Sequence, residues 1–154
     1  MIPRFFAVLA VVIVFFCGGL VRYVAQESLV EPVQPAVVLQ TVRVGDQVVR
    51  VSIADTHESR QKGLSGRDGL ASDEGMLFVF PEDGMYGFWM KDMRFPIDIV
   101  WLSDDWKIVH MAENVSPSTY PQSFTSSEPA RYVLELPAGY AALHGIGIGD
   151  IVRH

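Results

Sequence analysis

Residues 75–102 read GMLFVFPEDGMYGFWMKDMRFPIDIVWL, and this stretch decides the fold class. It gathers most of the large apolar side chains of the chain into strand-like runs. Met76–Phe80 and Met85–Lys91 flank Pro81-Glu82-Asp83-Gly84, and that spacing predicts a hairpin whose Asp-Gly closes a type I turn with a glycine at positive φ. Phe95-Pro96 blocks helix, because a residue before proline is pushed toward extended geometry. Ile97–Leu102 then predicts a further strand, rich in β-branched and aromatic residues.

Upstream, Arg4 precedes Phe5–Val21, an unbroken run of 17 apolar or glycine residues closed by Arg22-Tyr23. A membrane-spanning helix needs roughly 17–25 such residues. A cleaved signal peptide is the rival, but its apolar region is usually about 7–15 residues and ends in a small-x-small site. A cut after Ala25 would leave Arg22 close to the position where a small residue is wanted. The expectation is therefore an uncleaved single-pass anchor over residues 1–25, inserted through residues 5–21; cleavage would instead release a secreted domain. Arg4 and the terminal amine oppose Arg22, with Glu27 and Glu31 beyond it, which leans toward a cell-membrane protein with its domain outside the cytoplasm. Cys17, the sole cysteine, follows Val14-Phe15-Phe16, which are too large for a lipidation signal.

Residues 26–36, QESLVEPVQPA, carry two prolines and no periodicity, and predict a short linker. Residues 37–154 are long enough for one domain with its own core. Two arginines and two glutamates lie before residue 37, so this region keeps the whole net charge of −6. Nucleic acid and anionic lipid both need a basic face, so an acidic domain argues against them as partners. With no cysteine it has no disulfide framework, and neither a metal nor a cofactor is expected.

Within the domain, Val37–Val44 and Gln47–Ala54 predict a hairpin across Gly45-Asp46. Asp55 with Glu58 reads as a capping box opening a short polar helix that Gly63 ends. Residues 64–74 read as an ordered loop. Ser103-Asp104-Asp105 is a turn before a strand over Trp106–Ala112, and residues 113–129, with three prolines, form the longest loop. Asn114-Val115-Ser116 has the form of a glycosylation site, which Pro117 behind it argues against. Ala130–Leu136 is a strand with Tyr132, Leu134 and Leu136 on one face and Arg131, Val133 and Glu135 on a polar one. Pro137 suits the first turn of a second short helix that Gly145 closes, and Ile148–Val152 gives a last strand. Seven or eight short strands with two short helices predict a mainly β domain, α+β at the margin: a compact antiparallel sandwich or rolled barrel.

Four pieces of this domain resemble the DUF192 family, an uncharacterised conserved region. They are ADTHESRQKGLSGRDGL at 54–70, EGMLFVFPEDG at 74–84, FWMKDMRFPIDIVWL at 88–102 and PARYVLELPAG at 129–139. Order and spacing match as well, over about residues 40–152. The resemblance implies a compact, mostly β domain behind a signal or anchor segment, and it brings no reaction with it. Ser65 stands where the family often has Met, and Asp92-Met93 where it often has Asn-Thr.

Known catalytic patterns are mostly absent. His57-Glu58 lacks the second histidine of HExxH, no serine sits in GxSxG, and Gly145–Gly149 has no following helix for a dinucleotide site. Asp98, sharing a face with Val100 and Leu102, is expected to be buried, with Arg67, Lys91 or Arg131 as partner, either as a structural ion pair or as a site acid. Tyr86, Phe88 and Met90 alternate with Trp89 and Lys91, so one set is core and the other is free to floor a groove. Met76, Met85, Met90, Met93 and Met111 read as gap-fillers rather than as a copper site. The functional expectation is a binding or interaction module for a small molecule, a glycan or a protein, with Arg67, Trp89, Lys91, Asp98 and Glu135 around its groove. The alternatives are a hydrolase of envelope material using Asp98 and Glu135 as an acid/base pair, and a purely structural or assembly role.

Overall fold

The computed structural model describes residues 39–154. The expected anchor (1–25) and linker (26–36) lie outside them. Among the described residues no helix is long and apolar enough to cross a membrane.

Strand β5, Ile97–Leu102, is buried at all six positions. A strand buried on both faces needs a core on each side, and the molecule has two. Val100 and Leu102 join one apolar cluster with Val44, Ile108, Leu136 and Val152. Ile97, Ile99 and Trp101 join the other with Met76, Phe78, Phe88 and Met90.

Six more strands complete the sheet: β1 (Leu39–Val44), β2 (Gln47–Ala54), β3 (Glu74–Gly84), β6 (Ile108–Val115), β8 (Ala130–Pro137) and β9 (Val152–Arg153). Their order is β6-β5-β8-β3-β2-β1-β9. The sheet curls into a half-barrel. At one end its two margins approach through a bridge between Lys107 and Ile151, and Val152 N donates to Trp106 O at 3.0 Å. The first cluster fills the inside of this curl, where helix α2 (Tyr140–His144) adds Tyr140 and Ala141. Gly139 and Gly145, both left-handed, bound that short helix.

The mainly β class with two short helices is as the sequence implies. The pairing departs from it in two places. First, β3 is one strand of 11 residues that runs through Pro81–Gly84, and no hairpin forms there. After it, β4 (Gly87–Trp89) leaves the sheet and pairs with β7 (Ser123–Thr125) in a separate ribbon. Packing overrides the turn signal. Tyr86 folds back onto Phe80 with ring centroids 3.5 Å apart, its hydroxyl donates to Glu82 O at 2.6 Å, and Gly84 leaves room for the ring. Second, β2 and β3 are parallel, joined by a crossover through helix α1 (His57–Lys62). The cap of α1 is also one residue later than expected. Thr56 Oγ1 accepts from Ser59 N at 3.1 Å while Ser59 Oγ accepts from Thr56 N at 2.9 Å.

The outer face of the sheet is covered by the residues between α1 and β3, by the β4–β7 ribbon and by Met90–Phe95, which supply Leu64, Leu70, Phe88, Phe124 and Met90 to the second cluster.

Candidate functional site

Strand register sets a row of side chains on the outer face: Ile99 opposite Glu135, Glu135 opposite Met76, and Met76 beside Ser52. Glu135 is 6 % exposed, and its Oε2 has no hydrogen-bond partner among the described residues. A carboxylate taken out of water without a partner holds its proton instead of ionising. Burial pushes the Glu135 carboxyl up to about 8, against the opposing pull of the Arg67 cation.

Glu135 lies at the floor of an open cleft of about 760 Å³. One wall is aromatic. Phe80 and Tyr86 are stacked, and Phe88 stands edge-on to both Phe78 and Trp101, at 4.9 and 5.9 Å between centroids. The Arg60 guanidinium sits 5.2 Å over the Phe80 ring and donates to the Val79 carbonyl at 2.9 Å, which fixes the wall to α1. Trp89 closes the outer end. It is 55 % exposed and edge-on to Tyr120. The opposite wall is α1, with His57 and Gln61, and Lys62 and Lys91 add positive charge to the lining.

A smaller hollow of about 420 Å³ adjoins the cleft and shares Lys62, Gly63 and Ser65 with it. Arg67 and Met76 line it, and Arg67 Nη2 donates to the hydroxyl of buried Ser52 at 3.3 Å. The segment that carries Arg67 is pinned. Ser65 Oγ donates to Lys91 O at 2.9 Å, Gly66 N donates to Asp92 O at 3.0 Å, and Arg94 pairs with Asp68. Asp92 adopts a left-handed φ of 56° at this clamp, a conformation that Asp and Asn tolerate best among residues with a side chain.

Of the five residues expected around a groove, Trp89, Lys91 and Glu135 line this cleft and Arg67 lines the adjoining hollow. Asp98 is elsewhere. It stands opposite Leu136, one position on from Glu135, so the two carboxyls project from opposite faces of the sheet. Asp98 is 0 % exposed and faces the inner core. Its Oδ1 accepts from Asn114 N at 2.8 Å and Gly139 N at 3.0 Å, and its Oδ2 from Ala141 N at 3.0 Å. Three backbone amides, not an arginine or lysine, are its partners. This corrects both the expected side-chain ion pair and the acid/base pairing of Asp98 with Glu135. Arg131, placed by the sequence on the same strand face as Glu135, turns instead to Asp83 at 2.6 Å, where both are well hydrated.

Lys62, Phe78 and Phe80 belong to the site and were not legible as such. A six-residue helix with no buried residue reads as a solvated surface, and Phe78 and Phe80 read as core.

The DUF192 family model, "Uncharacterized ACR, COG1430", matches residues 40–154. Two solved structures are similar. One is a protein from Sinorhizobium meliloti provisionally described as a transcription regulator, 31 % identical, with a TM-score of 0.73, covering 78 % of this chain and 96 % of its own. The other is a protein of unknown function from Novosphingobium aromaticivorans, 31 % identical, with a TM-score of 0.73, covering 89 % of this chain and 100 % of its own. Comparison with curated proteins yields no match.

Proposed function

Because the chain belongs to the DUF192 family, whose description assigns no activity, we propose its function from the cleft: it is a binding module for a small organic ligand. The observation that carries this reading is Glu135, which lines an aromatic-walled cleft while its buried Oε2 has no hydrogen-bond partner among the described residues. Buried polar groups are almost always paired, and an unpaired one on a residue that lines an open cleft with aromatic and charged walls is a binding-site signature. The ligand lays a flat or apolar face on the Phe80–Tyr86 and Trp89 rings and hydrogen-bonds the Glu135 carboxyl. A hydrolase would need Asp98 beside Glu135, and their separation on two faces of the sheet argues against that acid/base pair.

In this reading residues 5–21 hold the module at the membrane with its cleft outside the cytoplasm. That part rests on the apolar run and its flanking charges. Nucleic acid is disfavoured as a partner, despite the description of the Sinorhizobium relative, because the described domain is acidic.

The test is a fragment screen, sugars and aromatic amphiphiles included, followed by backbone amide chemical shifts. Hits should perturb residues 57–65 and 86–92, and Trp89→Ala should weaken them while leaving the unfolding midpoint nearly unchanged, since that ring is mostly exposed. Hits that all map away from the cleft, or that ignore Trp89→Ala and Glu135→Gln alike, would sink the reading.

A further inference from the structure

We propose that the hollow beside the cleft holds a carboxylate, anchored by Arg67 with Lys62 at its side, so that the ligand is a small organic acid whose apolar body lies on the aromatic wall. This rests on the cleft being a binding site and adds the chemical class of what enters it.

The arginines around the site differ in what they are given to bind. Arg50 holds Asp73 at 2.9 Å and Glu74 at 3.3 Å, Arg94 holds Asp68, and Arg131 holds Asp83. Arg60 spends its guanidinium on the carbonyls of Asp55 and Val79. Arg67 is half-buried, and the side-chain acceptor it reaches is the neutral Ser52 hydroxyl, at a long 3.3 Å. A guanidinium has five donors in a planar fork that matches a carboxylate with two parallel hydrogen bonds. A half-buried cation with no ion-pair partner among the described residues regains from a well-placed incoming anion part of what it lost in hydration.

Glu135 does not supply that counter-charge near neutral pH, because burial keeps its carboxyl protonated there. A neutral carboxyl also offers an O–H to a ligand oxygen, which an ionised one cannot do. The two hollows share Lys62, Gly63 and Ser65 in their linings, and in this proposal one molecule reaches past these residues from the cation to the aromatic wall. The hydrogen bonds from residues 65 and 66 to Lys91 O and Asp92 O fix the Arg67 segment to the Trp89 segment before any ligand arrives. Preorganisation of this kind lowers the ordering cost of binding.

The test compares phenylacetate, phenylacetamide and inorganic phosphate by calorimetric titration of the full chain in mild detergent. Phenylacetate should bind roughly tenfold or more tightly than its amide, the effect of one charge-assisted hydrogen bond. Arg67→Gln should erase the preference, Arg67→Lys should keep part of it, and Lys62→Gln should reduce it. If Arg67→Gln fails to fold, the acid-over-amide ratio in Arg67→Lys and Lys62→Gln decides, and an unchanged ratio in both overturns the proposal. Equal binding of acid and amide by the wild type overturns it while leaving the cleft reading intact. Phosphate binding as tightly as phenylacetate overturns the organic-acid class. If none of the three binds, this inference and the cleft reading fall together.

Discussion

Glu135→Gln separates the stability of this protein from pH across the neutral range. In the native state burial raises the Glu135 carboxyl from 4.5 to about 8. Between those values the folded chain keeps a proton that the unfolded chain has released. Stability therefore falls as pH rises, by about 1.4 kcal/mol per unit, and the loss totals about 5 kcal/mol once pH has passed the native value. That is a large share of the roughly 5–15 kcal/mol by which domains are stable. The contribution is fully present at the acid end and gone above about pH 8. Other shifted groups act outside this window. Asp73, held down by its hydrogen bond from Arg50, Glu58, held down by backbone and Thr56 hydrogen bonds at the α1 start, and Asp105, held down by Ser103, contribute above their ordinary range and lose that below about pH 4. Tyr140, raised by burial, acts only in strong alkali. Arg67 is the cation that opposes the Glu135 shift, and Arg60, Lys62, Lys91, His57, Glu58 and Asp92 line the cleft with Glu135. Urea unfolding followed by tryptophan fluorescence, with Trp101 fully buried as reporter, gives the stability at intervals from about pH 5 to about pH 8. The wild type should lose several kcal/mol over that span, and Glu135→Gln should be nearly flat. Its amide shifts the whole curve without restoring the slope. Parallel curves for the two proteins would refute the claim that Glu135 is buried with its proton.

Two further substitutions probe the frame around the site. Asp98→Ala strips the acceptor from three buried backbone amides and should cost about 3 kcal/mol or more, read from the urea midpoint, with the pH slope of the wild type retained. Gly75→Ala would place a Cβ 2.7 Å from the carbonyl oxygen of Glu135, closer than side chains come to backbone, and should destabilise by about 1–3 kcal/mol in a thermal melt.

The local elements were legible where short-range chemistry decides them. Gly45 turns the β1–β2 hairpin, Pro96 starts β5, and Gly145 stops α2. Strand partners were not. Alternation along a strand reports which faces are buried and says nothing about what covers them. In β5 even the alternation vanishes, because all six side chains are buried. The apparent hairpin at Pro81–Gly84 was decided by the β3 ladders to β2 and β8, which distant residues set, and by the local Phe80–Tyr86 stack. The partners of Asp98 were hidden for a similar reason. They are amides of residues 114, 139 and 141, presented by left-handed bends at Asn114 (φ 51°) and Gly139 (φ 77°) that no side-chain pattern encodes.

The two buried acids show how the candidate site separates from the scaffold. Both were singled out in the sequence, one from an apolar run and one from a strand face shared with Arg131. Asp98 accepts three hydrogen bonds from the backbone, with both oxygens engaged, and ties β6 and the α2 approach to β5, so its burial is accounted for by the fold. Glu135 leaves an oxygen without a partner and keeps a proton that it would shed in water, so its burial costs stability and strengthens no contact of the fold. The four sequence pieces that mark the family converge on this second acid. Residues 54–70 bring α1 and Arg67, 74–84 bring Met76, Phe78 and Phe80, 88–102 bring Trp89 and Lys91, and 129–139 bring Glu135 itself. A group that destabilises the native state, placed where four separate segments enclose it beside an open cleft, is the feature on which the proposed ligand site rests.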